Sequence, residues 1–248
     1  MRRAGVDIGS RTIAVVVMEE GKIIYSTVVD TGYQPNETAA ALLTPFAAPV
    51  VATGYGRHAA KASFAREIIT EIKAHALGTA YLFPEVRTIL DIGGQDTKAI
   101  LLSPQKAVVD FVMNDKCSAG TGKFLEVMAA ALGYDIGEIG PAALAGKPGL
   151  KISNMCTVFA ESEAISLLHR GTPRQDIALA LHQSVAERAA SLLKKISFVP
   201  PLVFTGGVAQ NPCLVKLLSE ILSTTVYVPA SPQIVGALGA ALHCATLI

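Results

Sequence analysis

Two segments of the chain align without a gap and predict an internally duplicated fold. Residues 6–30 read VDIGSRTIAVVVMEEGKIIYSTVVD, and residues 90–114 read LDIGGQDTKAILLSPQKAVVDFVMN. Each segment holds three short apolar runs that are rich in β-branched residues and bounded by glycine or charged turns, a pattern typical of three successive strands. A second pair lies downstream, where PVVATGYGR at 49–57 resembles PLVFTGGVAQ at 201–210. The chain is therefore predicted to contain two copies of one sheet-based lobe.

Helical segments are predicted between and after these strands. Thr172 caps and Pro173 begins an amphipathic stretch, TPRQDIALALHQSVAERAASLLKKI. Shorter helices are predicted over NPCLVKLLSEIL, over PQIVGALGAALHC and across residues 61–82. Strands that alternate with helices predict an α/β fold.

Composition restricts the chain to well-packed globular proteins. Its 248 residues are 51% hydrophobic and 17% charged, enough for two lobes of ordinary size. The formal charge of +1 does not favour a nucleic-acid partner. The longest apolar run, residues 39–52, is too short for a membrane span and contains two prolines. Asp7 interrupts the region where a signal peptide would be apolar, so a cytoplasmic location with reduced cysteines is expected.

An Asp-x-Gly turn follows the first strand of each repeat and predicts a phosphate site. Glycine lets the backbone approach a phosphate, and successive N–H groups in such a turn form an anion-binding concavity. The aspartate can orient water around Mg²⁺. An ordinary β-turn can have the same sequence. Two turns at matching points of a repeat, together with Thr-Gly-Gly after a later strand, favour the phosphate interpretation.

This arrangement resembles the actin, hexokinase and Hsp70 superfamily, in which a nucleotide lies between two related lobes. The resemblance implies a first lobe at 1–86, joined by a C-terminal helix at about 232–246, and a second lobe at 87–231. It implies two phosphate loops and an adenosine loop, formed by Asp7, Gly9 and Ser10, by Asp91, Gly93, Gly94 and Gln95, and by Gly206 and Gly207, respectively. The candidate catalytic residues, which would position the attacking water or the metal, are Gln95, Asp96 and Asp7.

The stretch NDKCSAGTGKF at 114–124 contains a Gly-Lys pair but does not match a P-loop. Cys117 occupies the position of the first glycine, and Phe124 replaces the hydroxyl residue that would hold Mg²⁺. Cys117 is instead predicted to lie just before a helix that starts in GTGKFLEVMAAAL. Cys156 likewise precedes a predicted helix, with Ser153 and Asn154 close to its entry. A helix N-terminus lowers a thiol pKa and stabilises a metal thiolate.

The spacing of these cysteines leaves two interpretations. Buried structural cysteines are common, because free cysteine packs as a small hydrophobe, and spacing alone favours this interpretation. Two thiolates are too few for a closed iron–sulfur or zinc site, but a two-fold dimer supplies four. Cys213 and Cys244 are interpreted as structural. The histidines, His75 among them, show no metal-ligand spacing and are expected at the surface or at helix ends.

Five motifs together resemble the activator (component A) of 2-hydroxyacyl-CoA dehydratases, a group related to the ATPase subunits of benzoyl-CoA reductase. They are NDKCSAGTGKFLEVMA, ISNMCTVFAESEAIS, DIGGQDTK, FTGGVAQN and PQIVGALGAAL. The resemblance implies a homodimer with one oxygen-sensitive [4Fe-4S] cluster, held by Cys117 and Cys156 of both subunits. It also implies binding of ATP/ADP with Mg²⁺. Hydrolysis would drive one low-potential electron to a dehydratase or reductase component, with a ferredoxin or flavodoxin as electron donor.

One position departs from the family pattern. The first loop of the family commonly has a lysine a few residues after Asp-x-Gly-Ser, whereas this chain has Ala14 there, with Arg11 nearby. Lys98 occupies the equivalent position of the second repeat. The phosphate contacts of the first loop are therefore left open.

Two other functions fit the same fold. A sugar or small-molecule kinase without a cluster would need a general base, for which Asp110 and Asp115 are available, and would leave the paired cysteines unexplained. A non-catalytic assembly protein of the actin or Hsp70 type would also bind ATP. Bound iron would argue against both. The sequence does not identify the terminal substrate of the partner.

Overall fold

The structure, a computed structural model, describes residues 1–152 and 156–245. Ser153 and Asn154, and the predicted end of the last helix at 246, lie outside the described residues. The chain divides into two units. Unit 1 comprises Met1–Ile89, Ile100–Phe111 and the segment that begins at Pro229. Unit 2 comprises Leu90–Ala99 and Val112–Val228.

The first sheet belongs to unit 1 and has the strand order β3-β2-β1-β4-β5. Its strands are β1 (Arg2–Ile8), β2 (Thr12–Glu19), β3 (Lys22–Asp30), β4 (Val50–Thr53) and β5 (Glu67–Ile68). Strand β1 runs antiparallel to β2 and parallel to β4. In this register Asp7 lies opposite Ala14 on one side and opposite Thr53 on the other.

The second sheet repeats the first. Its strands are β6 (Thr88–Ile92), β7 (Thr97–Leu102), β8 (Val108–Asn114), β9 (Leu202–Thr205) and β10 (Val226–Tyr227), in the order β10-β9-β6-β7-β8. The gapless alignment of the two segments places β1, β2 and β3 on β6, β7 and β8, and the downstream pair places β4 on β9. The two orders are then the same, which confirms the predicted duplication.

Nine helices are present in the described residues. They are α1 (Pro35–Leu43), α2 (Arg57–Ser63), α3 (Glu71–Leu82), α4 (Gly122–Leu132), α5 (Ile139–Leu144), α6 (Thr157–His169), α7 (Arg174–Lys195), α8 (Pro212–Leu222) and α9 (Val235–Cys244). Short 3₁₀ turns lie at Thr44–Phe46, Gly207–Gln210 and Pro232–Ile234. Among these residues, no helix combines the length and the apolar character that crossing a bilayer requires.

Two helix predictions differ from the structure. The predicted helix across 61–82 is two helices, because β5 pairs with β4 in between and the Thr70 side chain accepts a hydrogen bond from the Lys73 N–H at 3.3 Å, which begins α3. The long helix α7 begins at Arg174, so Pro173 is its capping residue and not its first helical residue.

The core of unit 1 follows from the two-residue period of β2. Ile13, Val15 and Val17 point to a cluster that contains residues of α1 and α2, such as Ala39 and Ala60. Ala14, Val16 and Met18 point to the other face, where Ala237, Leu238 and Ala241 of α9 cover them. Because both faces of β2 are buried, its sequence is a continuous apolar run and not an alternating one.

Close backbone approach joins α3, α9 and β1. A Cβ on Gly239 would overlap the Ala74 carbonyl, a Cβ on Gly78 would overlap the Val235 carbonyl, and a Cβ on Gly5 would overlap the Ala237 carbonyl. These glycines therefore let α9 pack directly on the backbones of its neighbours. The packing fixes α3 and α9 as one rigid pair within unit 1.

We expect Gly239→Ala to lower the free energy of unfolding by about 3 kcal/mol, because the added methyl group forces α3 and α9 apart in a core that cannot relax. Gly137 is a suitable control, since a Cβ at this exposed position meets no atom within 4 Å. Chemical denaturation of both alanine variants measures the difference. Equal stability of the two variants would contradict the described packing.

Candidate nucleotide loops and cysteine pair

The first Asp-x-Gly turn holds its carboxylate against two glycines. Gly9 donates its N–H to the Thr12 carbonyl at 3.0 Å, which closes the turn after β1. A Cβ on Gly54 would overlap Asp7 Oδ1, and a Cβ on Gly236 would overlap Asp7 Oδ2. Gly54 has a φ of +86°, which favours glycine independently of the available space. The two oxygens of Asp7 thus lie where any residue larger than glycine at positions 54 and 236 would place its Cβ.

The second turn has the same construction. Gly93 donates its N–H to the Asp96 carbonyl at 3.0 Å. Gly206, which also has a φ of +86°, would place a Cβ 2.8 Å from Asp91 Oδ1. The Thr205 hydroxyl donates to the same oxygen at 3.0 Å. Asp91 and Gly206 in unit 2 are therefore the counterparts of Asp7 and Gly54 in unit 1.

A buried lysine distinguishes the second turn from the first. Lys98 Nζ lies 3.2 Å from Asp91 Oδ2 and 2.7 Å from Asp96 Oδ1, and only 3% of its side chain is exposed. Asp96, predicted to position water or metal, is thus ion-paired with Lys98. The position equivalent to Lys98 in the first repeat is Ala14, which is buried. It packs with Ile234 and residues of α9.

Exposure separates the loop residues into two groups. Ser10, Gln95 and Gly207 are exposed, so their polar groups can meet a ligand. Asp91 and Gly206 are buried, and the remaining predicted loop residues are half-buried, namely Asp7, Gly9, Gly93, Gly94 and Asp96. The described structure brings the second loop and the adenosine loop together in unit 2 through Asp91 and Gly206.

Helix α4 begins directly on the second loop. The Gly122 N–H donates to the Gly93 carbonyl at 2.9 Å, and the Lys123 N–H donates to the Gly94 carbonyl at 2.8 Å. A Cβ on Gly122 would lie 3.0 Å from the same Gly93 oxygen, so glycine suits this contact. Two of the four amides that a helix N-terminus leaves unsatisfied are thereby bonded to the phosphate-loop backbone.

The two candidate cluster cysteines are free and exposed. Cys156 is the capping residue of α6, as predicted. Cys117 does not lie immediately before α4. A turn intervenes, in which the Thr121 N–H and hydroxyl both donate to the Ser118 carbonyl, at 3.0 and 2.6 Å. The two N–H groups at the start of α4 that bond to the second loop are therefore separated from Cys117 by this turn.

A hydrogen bond joins the residues that follow the two cysteines. The hydroxyl oxygens of Ser118 and Thr157 lie 3.1 Å apart, across 39 residues of sequence. The Asn114 side chain fixes the first turn by donating to the Cys117 carbonyl at 3.0 Å. Because neighbouring Cα atoms are only about 3.8 Å apart, the two cysteines lie in adjacent turns.

This pair fits half of an iron–sulfur site. Exposed thiols in adjacent turns can serve as two of the four thiolates that a [4Fe-4S] cluster takes. No group of three or more histidine, cysteine or acidic side chains within the described residues is placed to hold a metal ion. Completion of a cluster would therefore require ligands from outside this set, and a second copy of the chain would supply two more.

Exposed apolar side chains adjoin the cysteine pair. Val158 and Phe159, the second and third residues of α6, are 64% and 63% exposed. Helix α6 packs against α4 within unit 2, and this contact leaves Val158 and Phe159 exposed. Such a surface beside exposed thiols suits an interface and not a solvated face.

A buried histidine contacts Asn211, the residue that follows the 3₁₀ turn at Gly207–Gln210. His182 is fully buried, with Nδ1 2.7 Å from the Ala178 carbonyl and Nε2 2.9 Å from Asn211 Nδ2. A carbonyl only accepts, so Nδ1 carries the proton and Nε2 accepts from the amide. Asn211 Oδ1 in turn caps α8 by accepting from the Cys213 and Leu214 N–H groups. Burial lowers the pKa of His182 to about 4.

Acid should weaken the fold through His182. Its pKa is about 4 in the folded chain and about 6.5 when unfolded, so the unfolded state binds more protons between these values. The stability contribution is present above about pH 6.5 and is lost as the pH falls toward 4, an effect of about 3 kcal/mol. We expect His182→Gln to flatten the pH dependence of unfolding in this window. His58→Gln, at an exposed position, should leave it unchanged.

Sequence comparison identifies the family. The model of the BadF/BadG/BcrA/BcrD ATPase family matches residues 4–244. The chain belongs to this family. It is 40% identical to the 2-hydroxyisocaproyl-CoA dehydratase activator of Clostridioides difficile, over 98% of this chain and 94% of that protein. It is 37% identical to the (R)-2-hydroxyglutaryl-CoA dehydratase activating ATPase of Acidaminococcus fermentans, over 96% and 95%. The resemblance seen in the five motifs is confirmed.

Structural comparison confirms the fold class. The activator of the 2-hydroxyisocaproyl-CoA dehydratase from Clostridium difficile, solved with bound ADPNP, superposes with a TM-score of 0.91 at 41% identity, over 98% of this chain and 94% of that one. A ROK family glucokinase from Streptomyces griseus superposes with a TM-score of 0.61 at 13% identity, over 98% and 99%. The second likeness shows the fold alone, and together they confirm the duplicated fold of the actin and hexokinase type.

Two glycines beside the first loop, Gly54 and Gly236, were not among the predicted site residues. Gly54 and Gly236 make room for Asp7, and the Arg57 side chain donates to the Gly54 carbonyl at 3.0 Å. The similarity between the segments 49–57 and 201–210, which places Gly54 on Gly206, could have identified Gly54 as a loop residue. His75 was expected at the surface or at a helix end but is buried in the middle of α3. That expectation was wrong, because α9 covers this face of α3 from a distant part of the sequence.

Proposed function

We propose that this chain is an ATP-hydrolysing activator that passes one low-potential electron to a 2-hydroxyacyl-CoA dehydratase or a related reductase. The observation that carries the proposal is the joining of two exposed cysteines by the Ser118–Thr157 hydrogen bond, in a chain whose relatives are named as dehydratase activators. A kinase of the same fold has no use for such a pair.

The phosphate loops and the adenosine loop bind ATP or ADP with Mg²⁺ in this proposal. Ser10 of the first loop, and Gly94 and Gln95 of the second, offer backbone N–H groups to phosphate oxygens. Gly9 and Gly93 close the two turns with their own N–H groups and let the backbone approach the phosphates. Asp7 orients metal-bound water, Gln95 positions the attacking water, and Gly206 with Gly207 lines the adenosine. Since Lys98 forms ion pairs with both Asp91 and Asp96, we assign these two carboxylates to shaping the second loop.

Cys117 and Cys156 of two copies hold one [4Fe-4S] cluster in this proposal. When bound, the cluster supplies one-electron chemistry at a low potential. The chain contributes exposed thiols from two hydrogen-bonded turns, and a second copy covers the apolar end of α6 at Val158 and Phe159. Burial of these side chains against their symmetry mates would stabilise the dimer and exclude water from the thiolates.

Helix α4 connects the nucleotide to the cysteines in this proposal. A change at the second loop between ATP and ADP moves the Gly93 and Gly94 carbonyls, and these are bonded to the first amides of α4. The turn that carries Cys117 precedes that helix, so nucleotide exchange would reposition the thiolates. The partner must then bind the ATP and ADP states with different affinity, since a ligand shifts an equilibrium only by differential binding.

Anaerobic reconstitution with iron and sulfide tests the proposal. We expect a brown protein with about four iron atoms per dimer that hydrolyses ATP. It should reduce a purified 2-hydroxyacyl-CoA dehydratase only when ATP is present, with a ferredoxin or flavodoxin as electron donor. Electron transfer at the same rate with ADP would contradict the coupling through α4. A colourless protein that phosphorylates a sugar would overturn the proposal in favour of a kinase.

A further inference from the structure

A buried imidazole lies beside the carboxylate of the first loop. His75 is only 5% exposed, and its Nε2 lies 3.2 Å from the point that a Cβ on Gly236 would occupy. Asp7 Oδ2 would overlap that same Cβ. The imidazole nitrogen and the carboxylate oxygen therefore both lie close to the Cβ position of residue 236. Because this residue is glycine, no side chain separates them.

The duplicated fold shows what this position lacks. In the second turn Lys98 projects from β7 and pairs with the buried Asp91. In the first turn the equivalent residue on β2 is Ala14, directly opposite Asp7 in the strand register. Ala14 is buried against Ile234 and α9, so β2 brings no cation to Asp7. The polar group next to Asp7 at Gly236 comes instead from α3.

We propose that His75 is the positioning residue of Asp7 and takes the place that Lys98 has beside Asp91. The inference rests on the proposed nucleotide function. His75 Nε2–H donates to Asp7 Oδ2, while Oδ1 stays against Gly54. The His75 side chain is held rigidly, because α3 and α9 pack backbone to backbone at Gly78 of α3 and Gly239 of α9.

The exchange of lysine for histidine makes the two loops chemically different. An ammonium group that is ion-paired with a buried carboxylate neutralises its charge. The His75 imidazole instead donates one hydrogen bond to Asp7, from a different element, α3. Asp7 is therefore oriented by a hydrogen bond toward the water shell of Mg²⁺, whereas Asp91 is ion-paired with Lys98 and shapes its loop. The metal-facing carboxylate of the site is Asp7.

Two substitutions separate hydrogen bonding from packing. His75→Gln retains an N–H donor near the position of Nε2, whereas His75→Leu fills similar space without a donor. We expect the leucine variant to lose about tenfold or more in kcat for ATP hydrolysis and to need more Mg²⁺ for half-maximal rate. The glutamine variant should stay within about threefold of the parent protein.

Binding supplies a readout that does not depend on turnover. Titration with a fluorescent ADP analogue should show that His75→Leu lowers the affinity with Mg²⁺ and leaves the affinity without Mg²⁺ unchanged. A purely structural role would change both affinities or neither, together with the unfolding midpoint. His182→Leu, which also removes a buried imidazole, should lower that midpoint without changing the Mg²⁺ dependence.

The outcomes distinguish this inference from the function on which it rests. If Asp7→Asn abolishes hydrolysis while His75→Leu keeps the rate and Mg²⁺ dependence of the parent, the inference is wrong and the ATPase function stands. Equal impairment of the glutamine and leucine variants would also overturn it. A parent protein that neither binds nor hydrolyses ATP would overturn the proposed function itself.

Discussion

Replacement of Cys117 or Cys156 by serine is expected to remove about nine-tenths or more of the iron from the reconstituted dimer. In the proposed dimer each substitution would delete two of the four cluster ligands, because a two-fold interface repeats every residue across its axis. Two remaining thiolates cannot hold a cubane cluster, which takes four. Iron content, acid-labile sulfide and visible absorbance of the anaerobic protein measure the loss.

A buried cysteine provides a matched control. Cys213 is fully buried, and burial raises the pKa of its thiol to about 11, so it stays protonated and is a poor metal ligand. Cys213→Ala should keep the iron content of the parent protein. Cys117→Ser should keep its affinity for ADP, because Cys117 is not among the residues proposed to bind the nucleotide. Full iron content in either Cys117→Ser or Cys156→Ser would contradict the shared cluster.

Lys98→Met is expected to lower the free energy of unfolding by about 3–5 kcal/mol, the usual cost of removing one partner from a buried ion pair. Lys98 touches both Asp91 and Asp96, and the side chains of Lys98 and Asp91 are almost fully buried. Methionine preserves much of the packing volume but leaves the Asp91 carboxylate without its cation. Denaturant unfolding of the nucleotide-free protein measures the change.

The double variant Lys98→Met/Asp91→Asn identifies the cause. If the loss comes from an uncompensated carboxylate, removal of its charge should restore part of the stability, and the two substitutions will not be additive. Exact additivity, or a loss below about 1 kcal/mol in the single variant, would show that the ion pair does not hold the second loop together.

The duplicated sheets and both Asp-x-Gly turns could be predicted because they depend on local patterns. The short β-branched apolar runs of β2 and β7, and the glycines after Asp7 and Asp91, are visible in short stretches of sequence. The cysteine motifs were equally local and led to the family. The fold class and the family, which depended on such short stretches, were therefore predicted correctly.

Features that depend on distant contacts could not be predicted. The break between α2 and α3 arises because Ile68 pairs with Ala52 of β4. His75 is buried because α9 covers it from more than 150 residues away. The Ser118–Thr157 bond brings the two cysteine turns together across 39 residues. None of these contacts has a signal in the periodicity of either partner alone.

The bonds between α4 and the second loop also constrain the loop itself. A trans peptide is planar, with its C=O and N–H on opposite edges. The carbonyls of Gly93 and Gly94 face α4, so the amides of the same two planes, which belong to Gly94 and Gln95, face the other way. An anion on those amides would polarise the planes and strengthen the bonds to the helix. The two peptide planes would then act as a relay in which hydrogen bonds on opposite edges tighten or loosen together.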